Sequence, residues 1–331
     1  MWLHVLGFVC CAFIILVAGR RLSFYGDRLA GLTGMGRAWI GLVLMAAVTS
    51  LPELMVGISS SALVVQPDLA VGNILGACAL NLALLSVLDV FNRRRIPLFS
   101  TLSKTHILAA SFSVMLLAIA DMGLFLGKDI ILTPSLGLTS VAFAVVYFLS
   151  VRTIFRYQSS LSPRPNDKAT EAPAGNMRQT VGGYALFAFV IILAALALPF
   201  FAEKMATGFG LSMGFTGTLF LAISTCMPEV SVSLASIRRG WEDLAVGNLL
   251  GSNIFNLFIL LINDLAYTRG HLLKDASEGH LVSVLFVILM SGAAIIGLMY
   301  PSRQKRWLMS WDTFVILALY IFNIILLYNL S

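Results

Sequence analysis

Apolar residues run along this chain in long uninterrupted blocks rather than at the spacing of elements with one wet face. A window of about 20 residues, enough to cross a hydrocarbon core of roughly 30 Å, finds ten such blocks. The first five are Trp2 to Gly19, Ala38 to Val65, Leu69 to Phe91, Thr105 to Leu126 and Ile130 to Val151. The second five are Val181 to Phe201, Met213 to Ile237, Leu244 to Leu265, Leu281 to Tyr300 and Trp311 to Leu330. Each predicts a membrane-spanning helix, and together they predict an all-α integral membrane protein of ten transmembrane helices. Between the two groups lies YQSSLSPRPNDKATEAPAGNMRQ, rich in Pro, Ser and charge, which cannot bury apolar surface and reads as a flexible linker.

Composition agrees. Of the 331 residues, 59% are hydrophobic and 11% charged, against about 25% charged in soluble domains, and the mean hydropathy is +0.91. A soluble enzyme, a nucleic-acid-binding domain and a disordered chain are excluded, and the net charge of +6 belongs to the loops. Sorting Lys and Arg by alternate loops puts 18 of 22 on one side, the central linker included. The positive-inside rule then predicts a cytoplasmic linker, external termini and residence in the plasma (inner) membrane, with every cationic residue outside the spans. The first apolar block precedes Arg20 and Arg21, the reverse of a signal peptide, and reads as a retained span. Cys10, Cys11, Cys78 and Cys226 lie in apolar stretches, and no disulfide is expected.

The two groups of spans repeat one another. TSLPE at Thr49 pairs with TCMPE at Thr225 at an offset of 176, and DLAVGNILGACALN at Asp68 pairs with DLAVGNLLGSNIFN at Asp243 at 175. Asp89 pairs likewise with Asp264. Five spans per copy is an odd number, so the second copy lies upside down in the membrane. The expected organisation is a first repeat over 1–151, a cytoplasmic linker over 152–179 and an inverted second repeat over 180–331, with helices 2 and 7 broken.

The chemistry sits in the repeated residues. Glu53 and Glu229 fall inside apolar spans, where a charge costs roughly 2.5 to 3.5 kcal/mol on insertion scales, and no span holds a Lys or Arg to offset it. What remains is a proton or a soluble cation. Pro52 and Pro228 precede them, and an internal proline removes a backbone donor and frees a carbonyl four residues back, near Val48 and Ser224. Thr49, Ser50 and Thr225 add hydroxyls, making the hard oxygen set that Ca²⁺ and Na⁺ prefer. In the next span of each repeat, Asn73, Ala77 and Asn81, and Asn248, Ser252 and Asn256, recur at spacing four and share one helix face. Asn81 and Asn256 read as ligands and Asn73 and Asn248 as structural. Gly72 with Gly76, and Gly247 with Gly251, are small-residue pairs that allow close helix approach. Asp89 and Asp264 read as interfacial, and His4, His106, His271 and His280 as peripheral, without metal-ligand spacing.

TSLPEL with GNILGACALN, and TCMPEV with GNLLGSNIFN, resemble the two alpha repeats of the sodium/calcium exchanger family, within the cation/calcium antiporter superfamily. The resemblance covers nearly the whole chain and implies exchange of Ca²⁺ against Na⁺ by alternating access, without enzymatic activity, cofactor, nucleic acid or obligatory protein partner. It implies Glu53 and Glu229 as central ligands, with oxygens from Thr49, Ser50 and Thr225, the Ala46 and Ala222 carbonyls, and Asn81, Asn256 and Ser252. The first and sixth spans would slide across the rest. Three positions depart from the pattern: Ala77 where Ser is common, Cys226 at the place of Ser50, and Asn256 where many members carry Asp. About six oxygens remain, the lower end of the Ca²⁺ range. Coupling to H⁺ instead of Na⁺ stays open, since buried glutamates can exchange protons, as does another divalent cation such as Mn²⁺ or Mg²⁺.

Overall fold

The computed structural model describes residues 2–92, 96–126, 131–133, 136–160, 176–208, 223–305 and 308–330. Among them the chain forms α1 (Trp2–Thr33), a broken second helix made of α2 (residues 37–49) and α3 (residues 51–64), α4 (Pro67–Phe91), α5 (Thr105–Leu126) and α6 (Leu138–Ser160). The second half forms α7 (Met177–Gly208), α8 (Met227–Arg238), α9 (Glu242–Ala266), α10 (His280–Met299) and α11 (Trp311–Leu330). Among the described residues nine helices, counting Arg37–Val64 as one, are long and apolar enough to cross a membrane. Helix α8 is the described half of the remaining span; residues 213–222 of that expected span lie outside the described set, as do 161–175 of the expected linker.

Most span limits agree with the apolar blocks within two residues, and the exceptions have physical causes. Helix α1 continues past Arg20 and Arg21 to Thr33, and α7 past Phe201 to Gly208, so the ends that carry charge are still helical. Cationic residues such as Arg20, Arg28, Arg152 and Arg156 therefore lie within helices rather than in loops, at the ends where long side chains reach water. Helix α6 starts eight residues later than the apolar block, because Ile131–Thr133 and Leu136–Gly137 pair as a short antiparallel ribbon first. Pro134 in that block favours a turn over helix.

Helices α4 and α9 form the centre. In their most apolar stretches 72% and 83% of residues are buried, against 17% in α1. Small residues bring α9 against α2: a Cβ on Gly247 would stand 2.8 Å from the Ala38 carbonyl oxygen, and one on Gly41 2.6 Å from that of Leu244. A Cβ on Gly251 would overlap the Leu42 carbonyl outright. The segment of α2 that receives α9, Ile40–Met45, is wound as a π-helix, a wider turn that accommodates such crowding. At the other end, α3 and α4 are joined by only Val65 and Gln66, with Val65 in the left-handed conformation (φ 56°).

Reciprocal contacts establish the inverted symmetry. At the start of α4, Asp68 accepts from the Ser277 amide at 2.6 Å and pairs with His280 Nε2 at 3.1 Å. At the start of α9, Asp243 accepts from the Ser103 amide at 2.7 Å and pairs with His106 Nε2 at 2.9 Å. Helix α4 thus begins at the face where α10 begins, and α9 at the face where α5 begins. Since α4 and α5 are successive spans running opposite ways, α4 and α9 are antiparallel. The same exchange relates the helix ends: Asp89 accepts from the Leu98 amide at 2.9 Å, and Asp264 from the Leu272 amide at 2.6 Å.

Three of these residues add to the sequence reading. His106 and His280 are partners in buried or half-buried carboxylate pairs, and Asp89, at the end of its span, is fully buried within the protein. Asp89 gathers the Ser310 amide (2.8 Å), the Ser310 and Thr313 hydroxyls (3.0 and 2.9 Å) and the Lys305 ammonium (3.1 Å). Hydropathy windows register such a carboxylate as polar but cannot show that five donors await it.

The helix crossing is directly testable. Gly251→Val should destabilise the folded protein by about 1–3 kcal/mol through overpacking, seen as a lower melting temperature in detergent. Gly182→Ala, where an added Cβ meets nothing within 4 Å, should stay within about 0.5 kcal/mol of wild type.

Candidate ion-binding site

Each broken helix reaches across to the carboxylate of the other. The break in the first half is one residue, Ser50 (φ −87°, ψ 7°), and in the second Cys226 (φ −78°, ψ 0°), with Pro52 and Pro228 in the first turn of the helices that follow. A proline there needs no intrahelical donor, so α3 and α8 restart without loss while α2 ends. Ser50 and Cys226 are thereby turned toward the partner repeat. The Ser50 hydroxyl donates to Glu229 Oε1 at 3.2 Å. The Cys226 thiol donates to Glu53 Oε1 at 3.5 Å. Thr49 stands beside Glu229 as Thr225 does beside Glu53.

Helix α9 supplies the next layer. Ser252 donates to Glu229 Oε1 at 3.2 Å, and the Thr49 hydroxyl lies 3.3 Å from Ser252 Oγ and 3.2 Å from Asn248 Oδ1. Asn248 also donates to Ser233 Oγ at 3.1 Å, so it ties α2, α8 and α9 together. The Ala46 carbonyl takes the Ser50 amide at 3.0 Å and the Thr49 hydroxyl at 3.3 Å. Ala222 lies outside the described residues.

Glu53 and Glu229 are both fully buried, as are Thr49, Ser50, Thr225, Ser252 and Asn256, with Asn81 at 1%. Among the described residues neither carboxylate forms an ion pair with a Lys, Arg or His. The second oxygens, Glu53 Oε2 and Glu229 Oε2, and both polar atoms of Asn256 have no hydrogen-bond partner among the described residues. Polar atoms buried this way are costly unless something satisfies them. The three oxygens among them, Glu53 Oε2, Glu229 Oε2 and Asn256 Oδ1, are of the kind that ligate a cation, and two of them belong to acids whose charge a cation would neutralise.

The structure joins Thr49, Ser50, Ser252 and Glu229 directly, and Glu53 with Thr225 and Cys226. It does not bring Asn81 to either carboxylate by a hydrogen bond. Asn81 Nδ2 instead donates to Asn253 Oδ1 at 3.1 Å, and Asn253 Nδ2 donates to the Cys78 carbonyl at 3.2 Å. Asn253, fully missed as a candidate, bridges α9 to α4. Its signal was weak, because its partner in the repeat is Cys78 and the match therefore shows no shared polar residue.

With this geometry in place, a model of the family described as "Sodium/calcium exchanger protein" matches residues 3–156 and 180–329. The chain belongs to the sodium/calcium exchanger family. Inner membrane protein YrbG of Escherichia coli K12 is 29% identical over 295 residues, covering 83% of this chain and 85% of that protein. Sodium/calcium exchanger MaX1 of Methanosarcina acetivorans is 28% identical over 153 residues, 42% of this chain and 43% of that one. Solved structures of the sodium-calcium exchanger NCX_Mj superpose with TM-scores of 0.73 and 0.74 at 21% identity, covering 98% of this chain and 99% of that one. That likeness is one of fold: the inverted-repeat transmembrane architecture. Sodium/calcium exchangers are transporters rather than enzymes, and cation/calcium antiport is the activity that membership supports.

The bridging asparagine gives a stability test. Asn253→Ala leaves the Asn81 amide nitrogen without its acceptor in a dry interior, which should cost about 1–3 kcal/mol, while the Cys78 carbonyl keeps its place in the hydrogen-bond ladder of α4. Thermal unfolding of the variant against wild type measures it.

Proposed function

We propose that this sodium/calcium exchanger moves Ca²⁺ against Na⁺ by alternating access, with the ions held between Glu53 and Glu229. The observation that carries the reading is the pair of fully buried carboxylates without a basic partner among the described residues. Two charges around one pseudo-two-fold axis match one divalent cation, and two or more Na⁺ can replace it. Thr49, Ser50, Thr225, Ser252 and the Ala46 and Ala222 carbonyls contribute oxygens, with Asn81 and Asn256 as amide ligands; Asn81 would do so through Oδ1, which has no partner among the described residues, while its Nδ2 stays on Asn253. Ca²⁺ takes six to eight oxygens at flexible geometry, so this set is sufficient.

The alternation falls on α1 and α7. They pack against one another, and among the described residues the hydrogen bonds of α1 to α8 come from two serines: Ser23 Oγ to Ser236 Oγ at 2.8 Å, and Ser231 Oγ to the Ile15 and Leu16 carbonyls at 3.0 and 3.3 Å. The core helices, by contrast, are clamped at both faces by the Asp68 and Asp243 pairs. Rigid-body movement of the outer pair over the core is the geometry of a secondary transporter built from inverted repeats. The division into repeats over 1–151 and 180–331 around a linker over 152–179 belongs to this reading. So does the orientation, with the linker on the cytoplasmic side of the plasma membrane and both termini external. Its support is the gathering of cationic residues: Arg28 and Arg239 both lie 5.5 Å over the Phe24 ring, and Arg37 pairs with Asp27 at 2.5 Å.

Proton coupling is the second reading. An empty site with two uncompensated carboxylates in a dry interior is neutral only when protonated, and Asn256 supplies no further charge. The discriminating experiment is Ca²⁺ uptake into proteoliposomes under an outward Na⁺ gradient or an outward H⁺ gradient. Uptake under Na⁺ alone is expected; uptake under H⁺ alone overturns the coupling ion. Glu53→Gln and Glu229→Gln should each reduce uptake to the level of empty liposomes while leaving the protein folded, and retained uptake in either contradicts the site.

A further inference from the structure

The two carboxylates occupy equivalent places in unequal surroundings. Around Glu229 the hydroxyls of Ser50 and Ser252 each donate to Oε1 at 3.2 Å. These are hard oxygen groups. Exchange of the repeats replaces Ser50 by Cys226 and Ser252 by Ala77. Glu53 Oε1 accordingly takes a thiol at 3.5 Å, and α4 offers it a methyl group where α9 offers Glu229 a hydroxyl. A second buried thiol, Cys78, lies near enough to interact electrostatically with both Glu53 and Cys226. Its Sγ is 3.9 Å from the Asn253 carbonyl oxygen, so it is already held. Glu53 Oε2 and the Asn256 amide, all fully buried, lack partners among the described residues.

We propose that the Glu53 half of the cavity is a site for thiophilic divalent cations of the Zn²⁺ and Cd²⁺ class, with Cys226 Sγ and the Glu53 carboxylate as its protein ligands. The inference rests on reading Glu53 and Glu229 as the ion site. Sulfur ligands select softer cations, while Ca²⁺ takes oxygen only. Among the described residues no group of three or more His, Cys, Asp or Glu is placed to hold a metal, so the site is a two-ligand one of thiol and carboxylate, open to water or other donors in its remaining positions. The thiolate is the ligand form. Binding therefore breaks the Cys226 S–H bond, forms an S–metal bond and releases one proton to water, with no change in oxidation state. Ca²⁺ at the same carboxylates leaves the thiol proton in place. The substitution of sulfur for oxygen thus makes the two repeats chemically distinct, and the cavity discriminates soft from hard divalent cations through one of its halves.

The test uses the purified full-length chain in detergent, with Cd²⁺ as probe and the ultraviolet thiolate-to-cadmium charge-transfer band as readout. Wild type should develop the band and saturate at one Cd²⁺ per chain. Cys226→Ser, which restores the hydroxyl of the other repeat, should lose the band and lower the affinity for Cd²⁺ relative to Ca²⁺ about tenfold or more; Cys78→Ser should keep both. No band in wild type, or a band unchanged in Cys226→Ser, overturns the proposal. Should Cys226→Ser fail to fold, Cys226→Ala takes its place with the same readout: it should lose the band, and a band unchanged from wild type overturns the proposal. Addition of Ca²⁺ separates the two readings. A band that depends on Cys226 but resists all Ca²⁺ supports the thiol site and contradicts the shared ion site, whereas Ca²⁺ uptake that is intact with no Cd²⁺ band does the reverse.

Discussion

The structure depends on holding two carboxylates away from water with no basic side chain to neutralise them. A single such group in a membrane interior is unfavourable by several kcal/mol; two facing each other add repulsion. The fold reduces this by crossing the halves, so that the hydroxyl or thiol at the break of one helix donates to the acid of the other. That arrangement requires both helices to break at the residue three before the glutamate, which the prolines enforce, and both to approach the central helices closely. Glycine at 247 and 251 and the widened turn at Ile40–Met45 allow that approach on one side. The second oxygens of both acids stay unpartnered among the described residues, and that remaining deficit is what makes the cavity a cation site in the reading proposed above.

Inverted symmetry is visible as reciprocity. Each aspartate at the start of a central helix holds a histidine and an amide from the opposite repeat, and each aspartate near its end holds the loop that follows. The result is a core of α4, α5, α9 and α10 fastened at both faces, beside an outer pair, α1 and α7. The symmetry is broken where the ions would sit. Ser50 is replaced by Cys226 and Ser252 by Ala77 at the equivalent positions of the other repeat, so the two acids share geometry but not chemistry.

The span count, the repeat and the two glutamates were legible because each produces a long or duplicated signal: an apolar block of about 20 residues, or a motif that recurs 175 or 176 positions on. Helix ends were not. Arg20, Arg21 and Arg28 interrupt the apolar block of α1 without interrupting its helix, and the block that starts at Ile130 forms a short ribbon, Ile131–Thr133 with Leu136–Gly137, before its helix begins. Partners across the fold were equally hidden. Nothing local to Asp89 indicates that Ser310 and Thr313 are waiting for it, and His106 with His280 shows no metal spacing because each pairs with an aspartate of the other repeat. Asn253 escaped notice since its counterpart is a cysteine. Cys226 was visible as a departure from the family pattern, but only its thiol pointing at Glu53 turns the departure into chemistry.

The central claim is that two repeats build one shared ion site, not one site each. Equilibrium binding of radioactive Ca²⁺ to the purified chain, with Glu53→Gln and Glu229→Gln beside wild type, tests this most directly. The account predicts one Ca²⁺ per chain, lost in either variant. Two Ca²⁺ per wild-type chain, with one surviving each substitution, would contradict it.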